Sequence, residues 1–77
     1  MTNVVVYSTP SCPYCHMAKD YLTDKKVEFV DYDVGVDQLR AEEMVQKSGQ
    51  MGVPVLDIGG EIIVGFNRPE IDRLLGL

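Results

Sequence analysis

Val4-Val5-Val6-Tyr7-Ser8-Thr9-Pro10-Ser11-Cys12-Pro13-Tyr14-Cys15-His16-Met17-Ala18 is the stretch on which the reading of this chain turns. Asn3 to Tyr7 holds a continuous β-branched run that suits a strand covered on both faces, and Ser8-Thr9-Pro10-Ser11 stops it. From Pro13 onward the apolar positions Tyr14, Met17, Ala18, Tyr21 and Leu22 recur at the spacing of a helix with one buried stripe. His16, Lys19, Asp20 and Thr23 face the other way. Pro13 falls at the first helical position, where proline is favoured, so Cys12 sits at the cap. The unpaired N–H groups and positive dipole end of that helix favour a thiolate over a thiol at Cys12. Cys15 lies one turn later on the same side, within reach of Cys12, and borders the apolar stripe, so it is the more sheltered of the two. The asymmetry divides their labour. Cys12 is expected to attack a disulfide and form a mixed disulfide, and Cys15 to resolve it.

Downstream, Val27 to Val34 reads as a second strand, and its short connection from the helix implies a parallel pair in a right-handed βαβ unit. Asp37 is placed to cap a second helix whose inner stripe is Ala41, Met44 and Val45, with Gly49 as a left-handed stop. Leu39 fits that stripe poorly. Pro54 to Ile58 and Glu61 to Val64 read as antiparallel strands joined by Gly59-Gly60, a dipeptide suited to a tight type I′ turn. Asn67-Arg68-Pro69-Glu70 has the form of a capping box, followed by Ile71, Leu74 and Leu75 on one face and Gly76 as the stop. The predicted order is β-α-β-α-β-β-α, an α/β fold with a mixed four-stranded sheet flanked by three helices.

With 77 residues there is room for one compact domain, 1–77, with an economical core. An apolar share of 45% and a charged share of 25% match an ordinary soluble globular protein, and no stretch approaches the ~20 apolar residues of a membrane span. Met1-Thr2-Asn3 runs at once into the valines without a basic n-region, an apolar h-region or a cleavage site, so a cytoplasmic location is expected. The formal charge of -5 repels nucleic acid and anionic membranes and reads as a solvated acidic surface. Only two cysteines occur, two residues apart, which is placement for chemistry rather than for stapling.

A metal half-site is the competing reading of the pair, but tetrahedral zinc needs four ligands and only His16 is at hand to add to the two thiols. No metal is therefore expected. His16 can be read as a general base or as a solvated residue of the polar face, and the second is preferred because the helix terminus alone accounts for a thiolate. Lys19 reads as a solvated charge. Met17, Tyr21, Phe29 and Met44 read as core, whereas Tyr14 fits either the stripe or a substrate groove and Met51 lies in a loop. In Met51-Gly52-Val53-Pro54-Val55 a proline opens a strand, and composition alone favours an ordinary trans bond there.

Taken together, these segments resemble the glutaredoxin family. Thr9-Pro10-Ser11-Cys12-Pro13-Tyr14-Cys15 is similar to its active-site segment, Gly52-Val53-Pro54 to its cis-proline motif, and Gly65-Phe66-Asn67 to its glycine turn before the last helix. The likeness runs through essentially the whole chain, and the lack of Trp sets it apart from ordinary thioredoxins. The resemblance implies a thioredoxin-like, glutaredoxin-type fold with Val53-Pro54 cis against the Cys12-Cys15 pair. It implies catalytic Cys12 and Cys15, an active-site loop of Pro13 and Tyr14, and a substrate or glutathione site drawn from Thr9, Val53, Pro54, Gly65, Phe66 and Asn67. Val53 would offer its backbone to an extended thiol substrate by strand addition. No bound cofactor is implied; glutathione is the usual reductant and co-substrate.

Two departures bear on the reductant. Thr9 stands where glutaredoxins often carry a lysine, and Gly65-Phe66-Asn67-Arg68-Pro69 replaces the usual acidic or polar residues after the glycine turn. That ending is similar to redoxins that supply ribonucleotide reductase and are recharged by thioredoxin reductase. The expected partners are thus glutathione or thioredoxin reductase and disulfide-containing protein substrates, met by a monomer. A dimer bridged by a [2Fe-2S] cluster through Cys12 ranks below redox work, because Pro13 and Tyr14 make a stiff, bulky loop.

Overall fold

The computed structural model describes residues 3–77. Met1 and Thr2, at the head of the stretch read for a leader, lie outside the described residues. Among the described residues the elements are β1 (Val4–Ser8), α1 (Pro13–Asp24), β2 (Val30–Asp33), α2 (Gln38–Ser48), β3 (Val55–Ile58), β4 (Glu61–Val64) and α3 (Arg68–Leu75). The strands form one sheet in the order β2-β1-β3-β4. β1 runs parallel to β2 with Val6 opposite Asp31 and Ser8 opposite Asp33, and antiparallel to β3 with Tyr7 opposite Val55. The mixed sheet and the element order are those expected from the sequence.

Alternation along β1 divides the core in two. Val4 and Val6 point to one face, where they pack with Ala18 and Leu22 of α1, Leu56, Ile58 and Ile63 of the hairpin, and Ile71 of α3. Tyr7 points to the other, where Met44 of α2 and Val55 close over it. Each fully buried aliphatic side chain contributes about 1.5–3 kcal/mol relative to exposure, so these two small clusters carry most of the driving force for folding.

The caps work as the local chemistry dictates. Asp37 accepts the Arg40 N–H at 3.1 Å, and Gly49 ends α2 at φ 74°, a left-handed conformation that a Cβ would strain. Asn67 accepts the Glu70 N–H at 3.4 Å and Gly76 ends α3. Only half of the capping box forms, because the Glu70 carboxylate pairs with Arg73 at 2.7 Å instead of turning back to the cap.

Several boundaries and faces differ from the sequence reading. β1 extends through Ser8, which is buried, because its carbonyl still accepts the Val34 N–H at 2.9 Å. β2 begins at Val30 rather than Val27; in this register Val30 lies opposite Val5, and Val27 and Glu28 fall before the start of β1 at Val4. β3 begins at Val55; Pro54 has no N–H to give a ladder. The buried stripe of α1 is Cys15, Ala18 and Leu22, while Met17 is 48% and Tyr14 62% exposed. Met17 is therefore not core: the inward face is centred on Cys15, Ala18 and Leu22, and Met17 lies to one side of it. Leu39 is exposed, as its poor fit to the α2 stripe anticipated.

Candidate functional site

The site forms where the C-terminal end of β1 hands the chain to α1. Cys12 is the N-cap, with φ -90° and ψ 114°, and Pro13 follows inside the first turn. A cap residue ordinarily presents a side-chain oxygen to the free N–H groups of the first turn; here a sulfur does so. The Cys15 N–H donates to Cys12 Sγ at 3.3 Å. On its other side Cys12 Sγ lies 3.8 Å from the Val53 carbonyl oxygen, to which a thiol donates. The Cys12 N–H donates to the Thr9 carbonyl at 3.3 Å and the Cys12 carbonyl accepts from the His16 N–H at 3.2 Å, so the loop is fixed from both ends.

Both thiols are free, and they differ in environment: Cys12 is half-buried, whereas Cys15 has no exposed surface. Burial pushes the Cys15 thiol up to about 11, because a thiolate there loses hydration. A hydrogen bond to the Cys12 sulfur and the charge of that sulfur push the same way, while a backbone hydrogen bond from Thr9 and the Lys19 ammonium oppose them. The arrangement can thus present one sulfur to a substrate and hold a second, protonated sulfur one turn beneath it.

Val53-Pro54 is cis, against the trans bond that composition alone favours and in line with the family likeness. Pro54 is buried, and its carbonyl accepts the Gly65 N–H at 2.8 Å, which ties the turn after β4 to the loop facing Cys12. Val53 and Pro54 are therefore brought to the dithiol. Thr9 meets it through its backbone, and its side chain lies toward Gly35. Gly65 takes φ 83°, a conformation that glycine adopts freely. Phe66 packs edge-on against Tyr21 with ring centroids 5.9 Å apart and joins the α1 side of the core. Asn67 spends its side-chain oxygen on capping α3. Asn67 thus caps the last helix, as its place in the capping box anticipated, while Phe66 packs on Tyr21 of α1, a contact that the motif alone did not disclose.

His16 is exposed, and its ring lies with Nε2 2.6 Å from the Pro10 carbonyl. A carbonyl only accepts, so Nε2 carries the proton and braces the loop. Lys19 departs from its reading as a solvated charge: its ammonium meets Asp31 at 3.1 Å, and Asp31 accepts the Ser8 hydroxyl at 2.7 Å. Ser8 and Asp31 were not foreseen as part of the site. The signal available was the four-residue spacing of Cys15 and Lys19 on one helix and a serine ending an otherwise apolar strand face. Among the described residues no group of three or more His, Cys, Asp or Glu converges as a metal site, and no helix is long and apolar enough to cross a membrane.

Residues 4–63 match the family model for Glutaredoxin. A glutaredoxin-like 8.6 kDa protein from the rubredoxin operon of Clostridium pasteurianum is 51% identical over 72 residues, covering 94% of this chain and 96% of that one. Glutaredoxin 3 of Escherichia coli is 38% identical over 65 residues, covering 84% of this chain and 78% of its own length. The solved structure of the glutaredoxin-like protein NrdH-redoxin from Escherichia coli, described as having a thioredoxin-like activity profile, superposes with a TM-score of 0.83 at 25% identity, covering 94% of this chain and 93% of that one. A cysteine-capped helix on a mixed four-stranded sheet, a cis proline facing it and these relationships lead to one conclusion: the chain belongs to the glutaredoxin family of thioredoxin-fold thiol-disulfide oxidoreductases.

Proposed function

We propose that this chain reduces protein or low-molecular-weight disulfides with Cys12 as nucleophile and Cys15 as resolving thiol. The observation that carries the reading is the asymmetry of the pair, with a half-buried sulfur capping α1 and a fully buried one beneath it. Cys12 attacks one sulfur of the substrate disulfide, forming Cys12-S-S-R and releasing the other sulfur as a thiolate. Cys15 then gives up its proton and attacks Cys12 Sγ, so that R leaves as a thiolate, takes up a proton, and the Cys12-Cys15 disulfide remains. Two electrons pass to the substrate in each cycle. The Val53 backbone beside Cys12 is the docking edge for the substrate, with Pro13, Tyr14, Thr9, Pro54 and the Gly65-Phe66-Asn67 turn around it. The chain works as one domain, a cytoplasmic monomer without bound cofactor.

Single-turnover reduction of a mixed disulfide by Cys12→Ser and Cys15→Ser variants tests the assignment. Cys12→Ser should lose attack altogether, whereas Cys15→Ser should attack and then stall as the mixed disulfide. Attack at the parent rate by Cys12→Ser would sink it.

For the return of electrons, glutathione is the first reading, supported by Cys-Pro-Tyr-Cys and the likeness to glutaredoxin 3. A reductase of the thioredoxin type is the second, with the route to ribonucleotide reductase that such redoxins take. The occupied turn favours it: Phe66 is committed to Tyr21, the Asn67 oxygen to the α3 cap, and the Arg68 guanidinium lies 4.8 Å from the Tyr21 ring centroid. Polar groups already engaged in holding α3 offer less to a charged tripeptide. NADPH consumption in two coupled mixtures, glutathione with glutathione reductase and thioredoxin reductase alone, distinguishes the two; turnover only in the second overturns the first reading.

A further inference from the structure

Cys15 presents a difficulty that the dithiol cycle must solve. The thiolate is the attacking species, yet this sulfur has no exposed surface and water cannot stabilise its charge. Few polar groups act on it. Along α1 the Cys12 sulfur and, one turn further, the Lys19 charge reach it, and from the loop it takes a backbone hydrogen bond from Thr9. From the sheet, Ser8 occupies the α1-facing position of β1 nearest the loop, beyond Val6 and Val4 on the same face. Of the charged groups near Cys15, the Cys12 sulfur disfavours a thiolate, the Lys19 ammonium favours one, and the Asp31 carboxylate of β2, paired with that ammonium, offsets part of its pull.

Lys19 is built in rather than free. Cys15 and Lys19 stand four apart on α1, a spacing that puts their Cβ atoms ≈ 5–6 Å apart on one face. Helical side chains lean toward the N-terminus, so the lysine stem is carried over the turn that contains Cys15. Asp31 accepts its ammonium at 3.1 Å. Asp31 lies opposite Val6 in the register, but its other oxygen accepts the Ser8 hydroxyl at 2.7 Å, which draws the carboxylate toward the dithiol end of β1. The lysine side chain retains only 21% of its exposure. The chain Ser8-Asp31-Lys19 thus anchors a cation from two strands beneath the first turns of α1.

We propose that Lys19, tethered by Asp31 and Ser8, is a positioning residue for the resolving step, supplying the positive charge against which the buried Cys15 thiolate forms. The role rests on the dithiol reading above. In the step it serves, Cys15 loses a proton, its sulfur bonds to Cys12 Sγ, the Cys12-S-S-R bond breaks, and the released thiolate takes up a proton. Lys19 keeps its own protons throughout.

The test reads Cys15 alone. In a Cys12→Ser background the ultraviolet absorbance of the thiolate is titrated with Lys19, Lys19→Gln and Lys19→Arg. Loss of a nearby opposite charge is expected to raise the Cys15 value by about one unit in Lys19→Gln, and Lys19→Arg to restore it. With Cys12 present, resolution of a preformed mixed disulfide at neutral pH should then slow about threefold in Lys19→Gln. A tenfold smaller thiolate fraction is partly offset by the greater nucleophilicity of a more basic thiolate, with a Brønsted coefficient of about 0.4–0.5. Attack by Cys12 should slow less than resolution. A Cys15 titration unmoved by Lys19→Gln, alongside normal resolution in the parent, overturns the role of Lys19 alone. Absence of resolution in the parent overturns the dithiol reading, and this role with it.

Discussion

The resolving step should be steeply dependent on pH. A thiol whose value is raised stays protonated below that value, so with Cys15 near 11 the thiolate is the minor form throughout the neutral range. At pH 7 about one molecule in 10⁴ carries it, from the tenfold change per unit of separation. Resolution should therefore accelerate about tenfold per pH unit, or about a hundredfold between pH 7 and 9. The mixed disulfide shifts the plateau without removing it. Once Cys12 is in a disulfide its sulfur carries no charge, which withdraws two of the influences that raise Cys15; burial, the largest, persists. The curve should level off below about 11 yet above the ordinary thiol range of ~8.5. The assay preforms a mixed disulfide between Cys12 and a coloured aromatic thiol and follows release of that thiol by stopped flow. Its leaving group must ionise well below the pH range scanned, so that Cys15 alone shapes the profile. A rate that is flat from pH 7 to 9, or that levels off at the ordinary thiol value, would refute the claim that burial governs Cys15.

Three further outcomes test the packing that holds the site. Tyr7→Phe removes a buried hydroxyl that donates to Glu43 at 2.6 Å and accepts from Lys47 at 3.0 Å. Because Glu43 keeps Arg40 and Lys47 keeps Asp57, the loss in urea unfolding should be about 1–2 kcal/mol rather than the full worth of two charged hydrogen bonds. Alkali should loosen the same cluster. Asp57 and then Tyr7 hold the Lys47 ammonium above its usual range, and burial with the Glu43 bond pushes the Tyr7 phenol up. Both shifts add stability that is full below the unfolded-state values and fades as pH rises through them, so the melting temperature should begin to fall from about pH 10. Leu22→Ala, at a position with no exposed surface between α1 and the sheet, should cost about 2–5 kcal/mol by calorimetry. A loss under about 1 kcal/mol there would mean that the α1 side of the core collapses onto the gap.

The sequence was most legible where local chemistry decides the backbone. Cys12 and Pro13 at the start of α1, Asp37 and Gly49 around α2, and Asn67 and Gly76 around α3 all stand at the predicted helix ends, because caps are satisfied by neighbours in the chain. Periodicity was less faithful on α1. Its apolar positions admit more than one inward face, and the face taken centres on Cys15, Ala18 and Leu22 and leaves Met17 exposed. Tertiary polar links were invisible. Nothing in the spacing of Ser8, Lys19 and Asp31 announces that they meet, since the register of β1 against β2 brings two of them together and the turn of α1 supplies the third. The cis bond at Pro54 likewise came from family likeness, not from composition.

The sulfur cap of α1 ties the solidity of a helix to the chemistry at its tip. In the dithiol, Cys12 Sγ accepts the Cys15 N–H, and an N-cap acceptor of the ordinary kind is worth about 0.5–2 kcal/mol to its helix. On the proposed cycle that same atom is the one consumed in bond formation, and a neutral disulfide sulfur is a poorer acceptor than a thiolate. Each encounter with a substrate therefore weakens the first turn of α1 at the moment when Cys15, which sits in that turn, must swing toward Cys12. The reagent and the latch are one atom: firing the first releases the second, and regeneration of the dithiol sets it again.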